Sequence, residues 1–201
     1  AKTKACFLNW RADTNEIDVL VSIKHKLITG SNKGTLKLWN VTNIHELKRT
    51  ANKTSLKSDG LTLESEVLLN GAIKSCKYDP TLDIAIAATI KGTVWYVNWQ
   101  EETSVRLVSS HLAQINSICC INDKFLSTAS DDGSLNIWSL TDRERVVQFE
   151  VKSAALCQTL IECHNNKHMQ KTSKYGKQVN CKLPLVAVGY ADGKLRIFDI
   201  D

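Results

Sequence analysis

The sequence predicts an all-β chain built from four copies of one antiparallel unit. Four segments share a pattern: a short apolar run, a polar turn that ends in glycine, and a run that alternates apolar and polar residues. These segments are 27–41, 84–99, 125–140 and 185–200. The pattern is typical of a β-hairpin, because successive side chains of a strand point to opposite faces of the sheet. A repeated unit of this kind indicates a repeat fold.

Glycines align the four hairpins. In each hairpin one glycine follows Lys or Asp and precedes the alternating run, and these residues are Gly34, Gly92, Gly133 and Gly193. We expect a positive φ at these turn positions, since glycine adopts it without a side-chain clash. A bulky residue suited to packing one sheet on the next stands five positions later in each hairpin: Trp39, Val97, Trp138 and Phe198.

These hairpins resemble the WD40 repeat, whose units are four-stranded blades of a β-propeller. The resemblance implies an all-β WD40 β-propeller segment that covers residues 1–201. Its four blades are predicted at 17–49, 72–109, 115–151 and 156–199, and the fourth lacks its outer strand. An apolar strand at 4–10 stands where the outer strand of a preceding or closing blade belongs. Two polar insertions separate the strands, at 50–70 and 164–182.

The blade total is the least determined part of this prediction. Propellers of this repeat usually have about seven blades, and an open array of four would leave two blade faces bare. We therefore expect the chain to be part of a larger propeller. The alternative is a small ring that closes when the strand at 4–10 pairs with the fourth blade.

The third unit matches the repeat best. Four of its residues fall where the family places a hydrogen-bonded tetrad that links a loop between blades to the sheet: His111, Ser130, Asp132 and Trp138. A buried indole N–H and a buried imidazole each need a hydrogen-bond partner, and a hydroxyl and a carboxylate can provide it. The resemblance implies that this tetrad is structural and not catalytic. The other three units lack the complete set.

Lysines in the second insertion form the most asymmetric charge patch of the chain. No acidic residue lies among them, and they are Lys167, Lys171, Lys174, Lys177 and Lys182. Such a patch is a candidate contact for an acidic partner surface. The alternative is a solvated loop in which the lysines only maintain solubility.

Composition and motifs exclude several classes of function. The chain is 43% hydrophobic but has no apolar run of about twenty residues, which excludes a membrane-spanning helix. No Ser nucleophile elbow or phosphate-binding glycine loop is present, so we do not expect an enzyme. A net charge of +5 does not by itself indicate nucleic acid. Trp95, Tyr96 and Trp99 lie on a strand that must bury both faces, which favours packing over base stacking.

The cysteines do not predict a metal or cofactor site. Seven of them are scattered along the chain, which is typical of buried thiols in a reducing compartment. One set could be considered for zinc, namely Cys163, His164, His168 and Cys181. The spacing argues against it, because structural zinc sites pair two nearby ligands at each end and Cys181 has no nearby Cys or His.

A longer stretch gives the functional prediction. Residues 92–111, with the following blade through 146–151, resemble the large multi-propeller WD-repeat proteins of centrioles and cilia that are placed at microtubule inner junctions. The resemblance implies a non-enzymatic scaffold that contacts other proteins, with tubulin and centriolar or ciliary microtubule-associated proteins as partners. It also implies a location in the cytoplasm and cytoskeleton, at the centriole, basal body or axoneme.

The alternative is a generic WD40 adaptor, such as a ubiquitin-ligase substrate receptor or a scaffold in ribosome assembly or trafficking. In the ligase adaptors the last Trp of the repeat is typically followed by Asp and, one residue further, by Arg. Trp39 and Trp138 are followed by Asn40 and Ser139 instead, which disfavours the ligase adaptor.

Overall fold

The structure is a computed structural model, and it describes residues 6, 8–45, 61–79, 83–109, 111–161 and 185–200. The strands of this part of the chain form four antiparallel sheets. The chain divides into two compact units, residues 1–115 and 116–201. No helix of the described residues is long and apolar enough to cross a membrane.

The first sheet has four strands in sequence order: β1 (Ile17–Ile23), β2 (Lys26–Ser31), β3 (Thr35–Asn40) and β4 (Thr62–Leu68). The prediction of its outer strand was wrong. We expected that strand at 46–49, which lies outside the described residues, but β3 pairs instead with β4, from Thr35 with Leu68 to Asn40 with Thr62. The first blade therefore extends to residue 68 and takes in most of the described part of the predicted insertion.

The second sheet completes the first unit and has the same order: β5 (Ile73–Asp79), β6 (Ile84–Thr89), β7 (Thr93–Asn98) and β8 (Thr103–Ser109). Every residue of β6 is buried, as expected for a strand covered on both faces. The apolar side chains of the first and second sheets pack together, and Ile28 and Leu38 of the first sheet lie in one cluster with Ala87 and Val97 of the second.

The second unit contains the other two sheets. The third sheet is four-stranded: β9 (Ile115–Cys120), β10 (Phe125–Ser130), β11 (Ser134–Ser139) and β12 (Glu144–Glu150). The fourth is three-stranded: β13 (Ala155–Ile161), β14 (Leu185–Tyr190) and β15 (Leu195–Phe198). Phe149 and Phe198 join the two sheets, with ring centroids 4.8 Å apart. The prediction that this blade lacks its outer strand stays a prediction.

The strand predicted at 4–10 is not observed where the structure describes it. Residues 4, 5 and 7 lie outside the described part, and Cys6 and the segment 8–10 are not in a strand. Trp10 instead packs edge-on against Trp39, with ring centroids 6.0 Å apart. The described part of this segment therefore contacts the first sheet through the half-buried Trp10 and the buried Trp39.

The predicted turn geometry is confirmed. All four turn glycines have positive φ, between 69° and 94°, and each donates its N–H to the carbonyl oxygen three residues earlier. At Gly133 space is also limiting, because an added Cβ would lie 2.0 Å from the carbonyl oxygen of Val151. A turn of this type followed by a left-handed residue is a common three-residue hairpin connection.

Candidate protein-interaction surface

Two of the predicted sites cannot be placed. The five lysines from Lys167 to Lys182 lie outside the described residues, as do the four residues considered for zinc. Within the described ranges, no group of three or more His, Cys, Asp and Glu side chains could hold a metal ion. The geometry that follows concerns the described sheets and their loops.

The structure shows some of the contacts that the predicted tetrad residues make. Trp138 is buried, and its Nε1 donates to Oγ1 of Thr128 at 2.8 Å. Ser130 Oγ accepts from the backbone N–H of Asp132 at 3.2 Å. The Asp132 carboxylate in turn accepts from the Ser134 hydroxyl at 2.6 Å. His111 is also buried and lies in the first unit, whereas the other three lie in the second. The complete tetrad therefore stays a prediction.

Thr128 is a residue that the sequence analysis missed, and the first sheet shows the signal that identifies it. There Trp39 Nε1 donates to Oγ1 of Thr29 at 3.0 Å, with both side chains buried. In both sheets the Thr precedes the Trp by ten residues. The acceptor of the indole is therefore a threonine on the neighbouring strand, two residues after the residue that pairs with the Trp.

The other two sheets carry apolar residues at both positions of this pair. The second sheet has Ala87 and Val97, and the fourth has Val188 and Phe198. A buried indole N–H without an acceptor is costly, and so is a buried hydroxyl without a partner. The pair is therefore polar at both positions or apolar at both in all four sheets.

The second sheet has a different polar cluster, centred on Asn70. The Asn70 side-chain oxygen accepts from the Thr93 hydroxyl at 2.9 Å and from the Trp95 indole at 3.2 Å. Thr89 lies within 2.6 Å of the Thr93 hydroxyl, oxygen to oxygen. We call Asn70, Thr89, Thr93 and Trp95 the Asn70 cluster. It fixes the loop before β5 to the turn between β6 and β7.

Charged and polar side chains join neighbouring sheets within each unit. In the first unit, Lys26 contacts the Asp83 carboxylate at 2.8 Å, and Tyr78 donates to the same carboxylate. Burial opposes ionisation of Asp83, but the hydrogen bonds from Lys26 and Tyr78 outweigh it, so the pKa of Asp83 is lowered. In the second unit, Gln158 of β13 accepts from Ser127 at 2.8 Å and donates to the Ser117 carbonyl at 2.9 Å.

The segment before β1 covers one face of the first sheet. Lys37 Nζ lies 3.0 Å from the Asp13 carboxylate, and the two side chains are 14% and 4% exposed. The same ammonium donates to the Ala12 carbonyl at 3.1 Å. Together with the Trp10–Trp39 contact, this buried ion pair anchors the segment on the sheet.

Exposed apolar side chains mark one end of the first unit. Leu112 is 96% exposed and Ile90 is 44% exposed. Two exposed lysines stand at the hairpin turns of the same end, Lys33 and Lys91. We call these four residues the Leu112 strip. Its side chains can bind a partner through apolar contact and charge, and it is the candidate interaction surface of the described residues.

Comparisons with known proteins identify the repeat. The model of the family described as "WD domain, G-beta repeat" matches residues 102–139. WD repeat-containing protein 90 of Mus musculus is 36% identical over 203 residues, covering 98% of this chain and 10% of that protein. Centriole proteome protein 16 of Chlamydomonas reinhardtii is 26% identical over 99 residues, covering 48% of this chain and 5% of that protein.

The fold is also found in a solved structure. The crystal structure of the computationally designed Ika4 protein has a TM-score of 0.67 and 15% identity, and the match covers 99% of this chain and 100% of that one. The chain spans about a tenth of the length of these curated relatives. The repeated hairpins, their turn glycines and these matches agree: the chain is a WD40-repeat domain of all-β propeller fold.

Proposed function

We propose that the chain is a non-enzymatic scaffold that binds other proteins and is associated with centriolar or ciliary microtubules. The observation that carries the centriolar part is the similarity to a protein named Centriole proteome protein 16. The similarity to WD repeat-containing protein 90 extends over nearly the whole chain. It supports a function that the repeats themselves perform. WD40 domains generally act as platforms for protein contacts, so the scaffold role is an inference from the fold class.

The use of polar side chains supports a scaffold. In the Asn70 cluster the hydroxyls and the amide oxygen are bound to one another, and the Asp83 carboxylate is bound by Lys26 and Tyr78. These groups hold loops and sheets in place. A catalytic acid, base or nucleophile needs a group that is free to reach a substrate.

The proposed contact with microtubules is electrostatic. Tubulin presents an acidic surface, and the five lysines of the second insertion lie close together in the sequence without an intervening carboxylate. Attraction between exposed charges falls as salt screens it. Binding through these lysines should therefore weaken as ionic strength rises.

Localisation tests the proposed function. The chain fused to a fluorescent protein, expressed in ciliated cells, should concentrate at centrioles, basal bodies or axonemes. A diffuse distribution, together with no co-sedimentation of the chain with stabilised microtubules, would contradict the microtubule association. The chain would then be a scaffold at another location.

A lysine variant tests the proposed contact. We expect replacement of all five lysines with Gln to reduce co-sedimentation with microtubules and to leave the thermal midpoint nearly unchanged, because lysine side chains are rarely part of a protein core. The matched control replaces exposed lysines elsewhere with Gln, namely Lys24, Lys77 and Lys124. Binding that is unchanged and insensitive to salt would exclude the insertion as the contact.

A further inference from the structure

Four loops and turns at one end of the first unit touch one another in series, through three successive contacts. An atom at the Cβ position of Gly34 would lie 2.9 Å from the Gly71 carbonyl oxygen. A Cβ on Gly71 would lie 3.2 Å from Cγ of Lys91 and 3.3 Å from Cγ2 of Ile90. A Cβ on Gly92, in turn, would lie 2.5 Å from the His111 carbonyl oxygen. The chain segments that carry the Leu112 strip therefore form one continuous surface.

The exposed part of this surface combines apolar and basic side chains. Leu112 is nearly fully exposed, at 96%, and Ile90 is 44% exposed. Lys33 and Lys91 are exposed at the turns of the same surface, and neither forms an ion pair within the described residues. At the Lys33 end the carboxylate of Glu16 is bound by the Asn32 amide at 2.9 Å. The strip is thus an apolar anchor site with a basic margin.

The turn that presents Ile90 and Lys91 is fixed to the loop before β5. The Ile90 N–H donates to the Ala72 carbonyl at 2.8 Å, which ties the turn before β7 to the loop before β5. The Asn70 cluster joins the same two loops through side chains. A surface that is already ordered loses little conformational entropy when a partner binds. This gives the Asn70 cluster a role in binding as well as in folding.

We infer that the Leu112 strip binds an acidic segment of a partner protein, with apolar side chains of that segment placed on Ile90 and Leu112 and its carboxylates beside Lys33 and Lys91. Exposed apolar side chains with a polar margin are typical of protein-binding sites. The charge of the margin selects an acidic segment. The inference deepens the proposed function and rests on the chain being a protein-binding scaffold, but it does not depend on the lysines of the second insertion.

Peptide selection tests the inference without knowledge of the partner. The probe is a library of random 16-residue peptides displayed on phage and selected on the immobilised chain, after which the enriched peptides are synthesised and their dissociation constants measured by fluorescence anisotropy. We expect the enriched peptides to be net acidic and to contain large apolar residues. Leu112→Ser should weaken their binding at least about tenfold, as expected for a central apolar contact.

Two matched controls make the result specific. Val105→Ser removes a side chain that is also 44% exposed but lies on β8, and Lys77→Gln removes an exposed lysine of β5. Both should leave the peptide affinity unchanged, whereas Ile90→Ser and Lys91→Gln should lower it. The denaturation midpoint of each variant confirms that it is folded.

Three results would overturn the inference: no peptide enriched above background, enriched peptides that are neutral or basic, or an affinity that is the same for Leu112→Ser and the unchanged chain. These outcomes are separable from the localisation test. A chain that binds acidic peptides through Leu112 but does not locate to centrioles would lose the microtubule association and keep this binding surface.

Discussion

The pairing of Trp39 with Thr29 makes a prediction that a double-mutant cycle can test. Thr29→Val keeps the size of the side chain but removes the hydroxyl that accepts from the indole at 3.0 Å. Trp39→Phe removes the donor and leaves the Thr29 hydroxyl. The double variant places Val and Phe where the fourth sheet has Val188 and Phe198, so its residue pair already occurs in this chain.

The expected magnitudes follow from burial. Trp39 is 6% and Thr29 is 4% exposed, so water cannot replace the lost partner in either single variant. A buried polar group without a partner costs about 1–3 kcal/mol. Trp39→Phe also loses part of the ring volume, which adds about 1 kcal/mol. The double variant leaves no unpaired group, so it should be more stable than the sum of the single effects predicts by about 1–2 kcal/mol.

Urea denaturation followed by far-UV circular dichroism measures the four free energies of unfolding in the cycle. The slopes should agree among the variants, which shows that the same transition is compared. A coupling energy below about 0.5 kcal/mol, the range in which independent sites add, would refute the reasoning. In that case the hydrogen bond would not explain why the two positions are either both polar or both apolar.

Three further predictions have defined outcomes. Burial raises the pKa of Asp13, but its hydrogen bonds outweigh burial, so the pKa is lowered in the folded state. The stability that the Asp13 carboxylate contributes is therefore complete above its unfolded pKa of about 3.9 and is lost as the pH falls through the lower folded pKa. Asp13→Asn should reduce this loss of stability at low pH when the free energy of unfolding is measured against pH. Trp138→Ala should cost about 3–5 kcal/mol and Asp132→Ala less, and equal, negligible shifts of the denaturation midpoints would contradict the tetrad. Gly92→Ala should lower the thermal midpoint more than Gly193→Ala, because an added Cβ meets the His111 oxygen only at Gly92. Equal shifts would show that the positive φ, which both positions share, accounts for the whole loss of stability and that the close contact with His111 adds nothing.

The hairpins could be predicted because both faces of their sheets are covered. Burial on two faces requires apolar residues on the middle strands, and the turns require glycine, so both features are visible in the sequence. The four hairpins predicted at 27–41, 84–99, 125–140 and 185–200 all form, as β2–β3, β6–β7, β10–β11 and β14–β15. The resemblance to WD-repeat proteins of centrioles and cilia was also identified in a hairpin region, at 92–111 and in the blade that follows.

The outer strand β4 could not be predicted in this way. An outer strand borders solvent, and in Thr62–Leu68 five of the seven residues are exposed. With Glu64 and Glu66 in the strand, its composition resembles that of a loop. Only the pairing with β3 distinguishes it, and pairing is a long-range contact that a local pattern does not contain.

The polar contacts were missed for a related reason. The sequence analysis did not single out Thr128, to which the indole of Trp138 donates. Thr128 and Ser130 are both small hydroxyl residues on the same face of β10, because they are two residues apart, and a local pattern does not show which of them lies within reach of the indole. Asn70 lies in a loop about twenty residues before the side chains it binds, so no local motif connects them.

The Trp–Thr pair also constrains how such a repeat can diverge. Replacement of the Thr first leaves an indole N–H in a dry interior, whereas replacement of the Trp first leaves a hydroxyl, which costs less because its O–H can rotate. The order in which mutations are tolerated should therefore be Trp first and Thr second. Repeats with a Thr and no Trp would then be the common intermediates in related chains, and repeats with a Trp and no acceptor would be rare.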